Sequence, residues 1–101
     1  MIIGRSDPSR HHNPQIDLGP IDIKNSVSRI HAEIYADTTG WLIQDKGSLN
    51  GTMLNGKRLR ANEPARLQPL DQCVFGRVGF SLVDGKLRQV KIGLGLAPDR
   101  P

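Results

Sequence analysis

Glycine, proline or asparagine interrupts nearly every window of about ten residues in this chain, which carries 11 Gly and 7 Pro among 101 residues. No apolar stripe at helical spacing survives such punctuation, because proline removes a backbone donor and glycine gains freedom on leaving a helix. The chain therefore reads as all-β. Strands are expected at Ile2 to Gly4, Gln15 to Leu18, Ile30 to Ala36, Trp41 to Asp45, Thr52 to Leu54, Lys57 to Leu59, Ala65 to Leu67, Gln72 to Phe75 and Gly79 to Val83. Many short strands with turn signals between them predict a sandwich or barrel. In the strand from Ile30 to Ala36, residues 30, 32, 34 and 36 share an apolar face, which is expected to point inward.

The length suits one core and is too short for two, so residues 1–96 are read as a single domain and Ala97 to Pro101 as a flexible tail. Aromatic residues make up only 4%, which predicts an aliphatic core. A net charge of +4 favours anionic partners, either nucleic acid or phosphorylated and acidic protein segments. The 14 Lys and Arg residues are scattered and no aromatic and basic ladder accompanies them, which disfavours nucleic acid. Cys73 is the single cysteine, so a disulfide within the chain and a cysteine metal cluster are excluded, and it reads as a small buried hydrophobe. No apolar run is long enough for a signal peptide or a membrane span, and a reducing, cytoplasmic setting is expected.

Catalytic chemistry finds little support. His11 and His12 are adjacent on an irregular loop with no third ligand placed by spacing, so no metal is expected and the loop reads as solvated. Asp17 and Asp22 lack the apolar surroundings that would raise a carboxyl pKa, and Gly93-Leu94-Gly95 lacks the strand-to-helix context of a nucleotide loop. The reading is a non-enzymatic chain without a cofactor.

Four short signatures follow one another instead: Gly4-Arg5, Ser28-Arg29-Ile30-His31, Asn50-Gly51-Thr52 and Asn55-Gly56. An arginine delivered by a strand to a loop mouth can grip a phosphate with two parallel hydrogen bonds, and a hydroxyl can donate a third. Ser28 and His31 would face opposite sides of a strand, which argues against a catalytic dyad. Ser28 is read as the phosphate donor and His31 as a ring that ties neighbouring loops together. Asn50-Gly51 and Asn55-Gly56 read first as hairpin turns.

The ordered set resembles the forkhead-associated (FHA) domain, a phosphothreonine-binding β-sandwich of two twisted, mainly antiparallel sheets. The resemblance runs from about Ile2 to about Val83 and includes Trp41-Leu42-Ile43-Gln44-Asp45 and Leu70-Asp71. It implies a module that binds a threonine-phosphorylated segment of a partner protein in Ser/Thr-kinase signalling. By that resemblance Arg5 and Ser28 hold the phosphate, Asn50 and Asn55 orient the peptide backbone, and Gly4, His31, Gly51 and Thr52 support the site. Leu49 stands where many members carry a polar contact, and Arg29 occupies a position that often contacts phosphate, so Arg29 is expected to compensate.

The family usually begins with two strands before the Gly-Arg strand, and those opening strands are missing here. Leu87 to Ile92, after an Asp84-Gly85 turn, is expected to pair with the strand ending at Val83 and cover the edge left open; strand exchange in a dimer is the other solution, so the chain is read as a monomer or a strand-exchanged dimer. The alternative function is a phosphate-independent FHA-like scaffold.

Overall fold

A computed structural model describes residues 1–22, 24–83 and 86–90. Ten strands build two five-stranded sheets: β1 (Ile2–Gly4), β2 (Ile16–Asp17), β3 (Ile30–Asp37), β4 (Gly40–Asp45), β5 (Thr52–Leu54), β6 (Lys57–Arg58), β7 (Ala65–Leu67), β8 (Gln72–Phe75), β9 (Val78–Val83) and β10 (Lys86–Val90). One sheet runs β2-β1-β3-β4-β7 and the other β10-β9-β8-β5-β6. Every pairing is antiparallel except that of β1 with β2. The polar stretches after β1 and β2 each contain a short 3-10 turn with a proline in its first positions, at Pro8–Arg10 and Gly19–Ile21.

Between the sheets Ile3, Leu18, Val27, Ala32, Ile34, Ile43, Leu67, Cys73, Val78 and Leu82 pack around Phe75 and Phe80. The core is aliphatic with one aromatic pair, whose ring centroids lie 6.1 Å apart. Burial raises the Cys73 thiol to about 12, with the Asp71 carboxylate adding to the effect. The thiol therefore stays protonated and unreactive.

Two sequence expectations need correction. The even-numbered face of β3 does not all point inward: Ala32 and Ile34 do, but Ile30 is 50% exposed and Ala36 lies at the surface, while His31 is fully buried. The cause is a register shift. Ile3 pairs with Ala32 and the next residue, Gly4, pairs with Ile30, so His31 is the extra residue of a bulge. A bulge breaks the period of two, so His31 and Ala32 are buried in succession and Ile30 turns to solvent. The second correction concerns residues 6–14. Asp7 and His12 form an antiparallel bridge around the first 3-10 turn, which makes a closed loop of what reads as a solvated excursion.

β10 pairs with β9 from Lys86↔Val83 to Val90↔Gly79 and occupies the edge position beside it. The Asp84-Gly85 turn and the expected continuation through Lys91 and Ile92 lie outside the described residues.

Candidate functional site

The segment after β1, the segment from Leu18 to Arg29, the β4–β5 loop and the β8–β9 turn all emerge at one end of the sandwich, where Gly4 pairs with Ile30, Asp45 with Ala32, and Thr52 with Phe75. Gly4 sets how closely these parts meet. A Cβ at Gly4 would lie 1.8 Å from the Arg29 carbonyl oxygen and 3.2 Å from that of Ser28, so only glycine lets β1 approach the Ser28-Arg29 backbone. The next residue then donates its amide to the Arg29 oxygen at 3.2 Å. Arg5 is thus delivered beside Ser28, and its Nε donates to the Val27 carbonyl at 3.1 Å. That bond fixes the guanidinium plane and leaves the two terminal nitrogens for a ligand.

The Ser28 hydroxyl is held by the opposite loop. The Leu49 amide donates to Ser28 Oγ at 3.1 Å, so the hydroxyl's own proton remains to be donated. The Asn50 side chain, on the same loop, donates to the Ser26 carbonyl at 2.9 Å and is exposed. Its amide oxygen is then oriented as an acceptor at the site's surface.

Two buried carboxylates shape these loops. Asp45 accepts the Gly47 and Ser48 amides and the Ser48 and Thr52 hydroxyls, while Ser48 Oγ in turn accepts the Gly51 amide. Burial pushes the Asp45 carboxyl upward, but these donors outweigh it and hold it below its ordinary value. Asp22 accepts the Ser26 hydroxyl and the Val27 amide, which likewise outweigh its burial. Asp17 accepts the Ser6 and Gly19 amides. All three carboxylates are loop anchors.

His31 joins the loops from inside. Its Nδ1 accepts the Ser28 amide at 3.0 Å, so the ring proton sits on Nε2, which donates to the Gly51 carbonyl at 2.8 Å. Nδ1 is occupied by the serine's amide and not its hydroxyl, so no dyad exists. Burial holds the imidazole below its ordinary 6.5, against the opposing pull of the Gly51 carbonyl and the Asp45 and Asp22 carboxylates. The unfolded chain therefore takes up the proton first, and the stability contributed by neutral His31 is complete above about pH 6.5 and lost as pH falls through the folded value. Melting curves of the chain between about pH 7.5 and about pH 5 should show a falling Tm, and His31→Gln should flatten that decline from a lower starting point. An equally steep decline in the variant would remove His31 as its cause.

Beside Ser28 lies an open groove of about 440 Å³ lined by Arg10, His12, Ser28, Arg29 and Ile30. His12 Nε2 donates to the Arg29 carbonyl at 2.6 Å, so its ring is a fixed wall and not a solvated loop residue. Arg29 Nη1 donates to Asp7 Oδ2 at 3.2 Å, and Arg10 reaches the same carboxylate at 3.5 Å. The Ser9 hydroxyl and then Arg29 hold the Asp7 carboxyl below its usual range. Arg10 and His12 are the groove residues that the sequence reading missed; the available signal was a basic run, Arg10-His11-His12, in the segment that follows Gly4-Arg5.

Arg5, Ser28, Arg29 and Asn50 meet at this end, supported by Gly4, His31, Gly51 and Thr52. Asn55 does not join them. It follows β5 at the opposite end of the sandwich, where Nδ2 donates to Asp71 and Oδ1 accepts the Gln72 amide, both at 2.9 Å. Its backbone has φ 50, and the Asn55 side chain is committed to tying the β5–β6 turn to the start of β8.

A family model of the FHA domain matches residues 1–76. Among curated proteins, FraH of Nostoc sp. is 33% identical over 76 residues, which is 75% of this chain and 26% of FraH; the chain thus spans about a quarter of that relative. Solved structures also resemble it. The FHA-2 domain of a Mycobacterium tuberculosis ABC transporter has a TM-score of 0.68 at 28% identity, over 90% of this chain and 73% of that one. A domain from a study of phosphothreonine-dependent FHA interactions reaches 0.59 at 31% identity, covering 77% and 69%. The MEK1 FHA domain in complex with a HOP1 phosphothreonine peptide reaches 0.56 at 26% identity, covering 74% and 71%.

Proposed function

This chain belongs to the FHA domain family, whose members are interaction modules and not enzymes, and on that premise we propose that it binds threonine-phosphorylated segments of partner proteins in Ser/Thr-kinase signalling. The observation that carries the reading is the pair of prepared donors. Arg5 has its Nε anchored on the carbonyl of Val27, the residue before Ser28, and Ser28 has its oxygen pinned by the Leu49 amide, so the remaining N–H and O–H groups are left for a ligand at the same end of the sandwich. Prepared donors of this kind spare the ordering cost that weakens most surface contacts. Two FHA neighbours tied to phosphothreonine recognition lend support. Asn50 orients the peptide backbone through its exposed amide. Asn55 is left out of the peptide contacts because its amide is already engaged on both atoms.

Arg29 assists the phosphate by exchanging a partner. It is held by Asp7, and a dianionic phosphate competes for the same guanidinium. Asp7→Asn should therefore tighten phosphopeptide binding by about two- to fivefold, the scale of an exposed ion pair, and Arg29→Gln should weaken it. Affinities measured side by side check both; tightening in Asp7→Asn that persists when Arg29 is also replaced would remove Arg29 from the phosphate.

Among the described residues no helix is long and apolar enough to cross a membrane. A soluble interaction domain acting in the cytoplasm is the setting proposed. Fluorescence-polarisation titration of a degenerate phosphothreonine peptide library against its unphosphorylated twin tests the function. Phosphate-dependent binding supports the reader, and equal binding to both libraries would instead identify a phosphate-independent scaffold.

A further inference from the structure

Four strands close the two sheets at their edges, and they differ in length: β2 and β6 have two residues, β7 has three and β10 has five. A two-residue edge gives another chain little to pair with, whereas five residues present a usable row of outward N–H and C=O groups. Among the described residues no strand lies beyond β10 on the side away from β9.

The two faces of β10 carry different chemistry. Leu87 packs against the core, so Lys86 and Arg88, one residue to either side, belong to the outer face of the sheet, where both are exposed. Across the strand pair they meet Val83 and Ser81, and among the described residues no carboxylate forms an ion pair with either cation. Beneath the inner face lies an open groove of about 270 Å³, with Ile16 of β2 and Leu87 of β10 as its banks and Ile34, Trp41 and Leu82 as its floor. Lys86 reaches its rim and is the one charged side chain among the described residues that line it. The groove is far from Ser28: Lys86 and Leu87 pair with Val83 and Leu82, while the turn at the phosphate end joins Phe75 to Val78.

The geometry points to β10 and this groove as a strand-addition site for an extended segment of a partner protein in which apolar and acidic residues alternate. Such a segment bonds to the outward backbone groups of β10, lays its apolar side chains beside Leu87 over the groove, and sets its carboxylates in cross-strand contact with Lys86 and Arg88. Charge selects this occupant over a second copy of the chain. Antiparallel pairing of β10 with itself about a two-fold axis at Arg88 or at Leu87 sets Arg88 against its own copy or against Lys86, and like charges directly opposite one another repel. The inference is independent of the phosphothreonine reading, because no residue of the phosphate site takes part.

The test uses the full chain and two short fluorescent peptides, one alternating Leu with Glu and the other alternating Leu with Lys. In polarisation titrations the Glu peptide should bind about three- to tenfold more tightly than the Lys peptide, with amide chemical-shift changes centred on residues 86–90. Lys86→Glu combined with Arg88→Glu should reverse the preference, and Lys57→Glu combined with Arg58→Glu, the same charge change on the β6 edge, should keep it. Circular dichroism confirms that each variant folds. A Glu preference that survives the β10 reversal, or shifts centred away from β10, overturns the inference. So does failure of both peptides to bind, the result expected if residues 91–101 of the chain itself hold the edge. Sedimentation of the free chain gives the remaining outcome: a concentration-dependent dimer whose formation shifts the β10 amides would assign the edge to a second copy and overturn the acidic occupant.

Discussion

Arg5→Ala should abolish phosphate-dependent peptide binding in most assays while leaving the fold in place. A charge-assisted hydrogen bond contributes about 1.5–3 kcal/mol, so losing the guanidinium should weaken binding by roughly ten- to a hundredfold. The scaffold loses one side-chain bond, to the carbonyl of the buried Val27, a net contribution of about 1 kcal/mol. Titration of a phosphothreonine peptide into the variant, with circular dichroism to confirm folding, separates the two effects. A folded variant that keeps wild-type affinity would show that the phosphate sits elsewhere. Binding should also weaken with added salt, though less steeply than for a protein that contacts many nucleic-acid phosphates.

Asp45→Ala should do the opposite, removing the fold before the ligand matters. The carboxylate is buried and satisfies two amides and two hydroxyls of the β4–β5 loop and the start of β5. Its removal leaves several buried donors without an acceptor, at a cost of about 3–5 kcal/mol, a large share of the stability of a domain this size. Thermal or urea unfolding checks this directly. Asp45→Asn, which restores some acceptors but turns one group into a donor, should fall between the two. If Asp45→Ala melted within a degree or two of the parent chain, the loop would have to be held by something other than this carboxylate.

Most of the architecture was legible because it depends on local chemistry. Strand placement follows from turn formers, and Gly4-Arg5, Ser28 and Asn50-Gly51 can be read as loop-mouth residues because each flanks an apolar segment. What stayed hidden depends on contacts distant in sequence. The bulge that buries His31 arises from how β1 pairs with β3, and nothing between Ile30 and Ala36 signals it. Asn55 looks the same as Asn50 in sequence, but it follows β5 where Asn50 precedes it and so lies at the opposite end, and bonds to Asp71 and Gln72, more than a dozen residues away, hold its side chain there. Arg10 and His12 become groove walls only because Asp7 and His12 close a loop and the Arg29 carbonyl accepts the imidazole.

The central claim is that phosphate enters between Arg5 and Ser28 with the Leu49-Asn50 loop beside it. Amide chemical-shift mapping by nuclear magnetic resonance, with the tightest phosphothreonine peptide and its unphosphorylated twin, tests this at each residue. The account predicts shifts at Arg5, Ser28, Arg29, Leu49 and Asn50 with the phosphorylated peptide alone, and none at Asn55, which lies at the other end of β5. Shifts of equal size with both peptides, or a phosphate-dependent pattern centred away from Arg5 and Ser28, would contradict it.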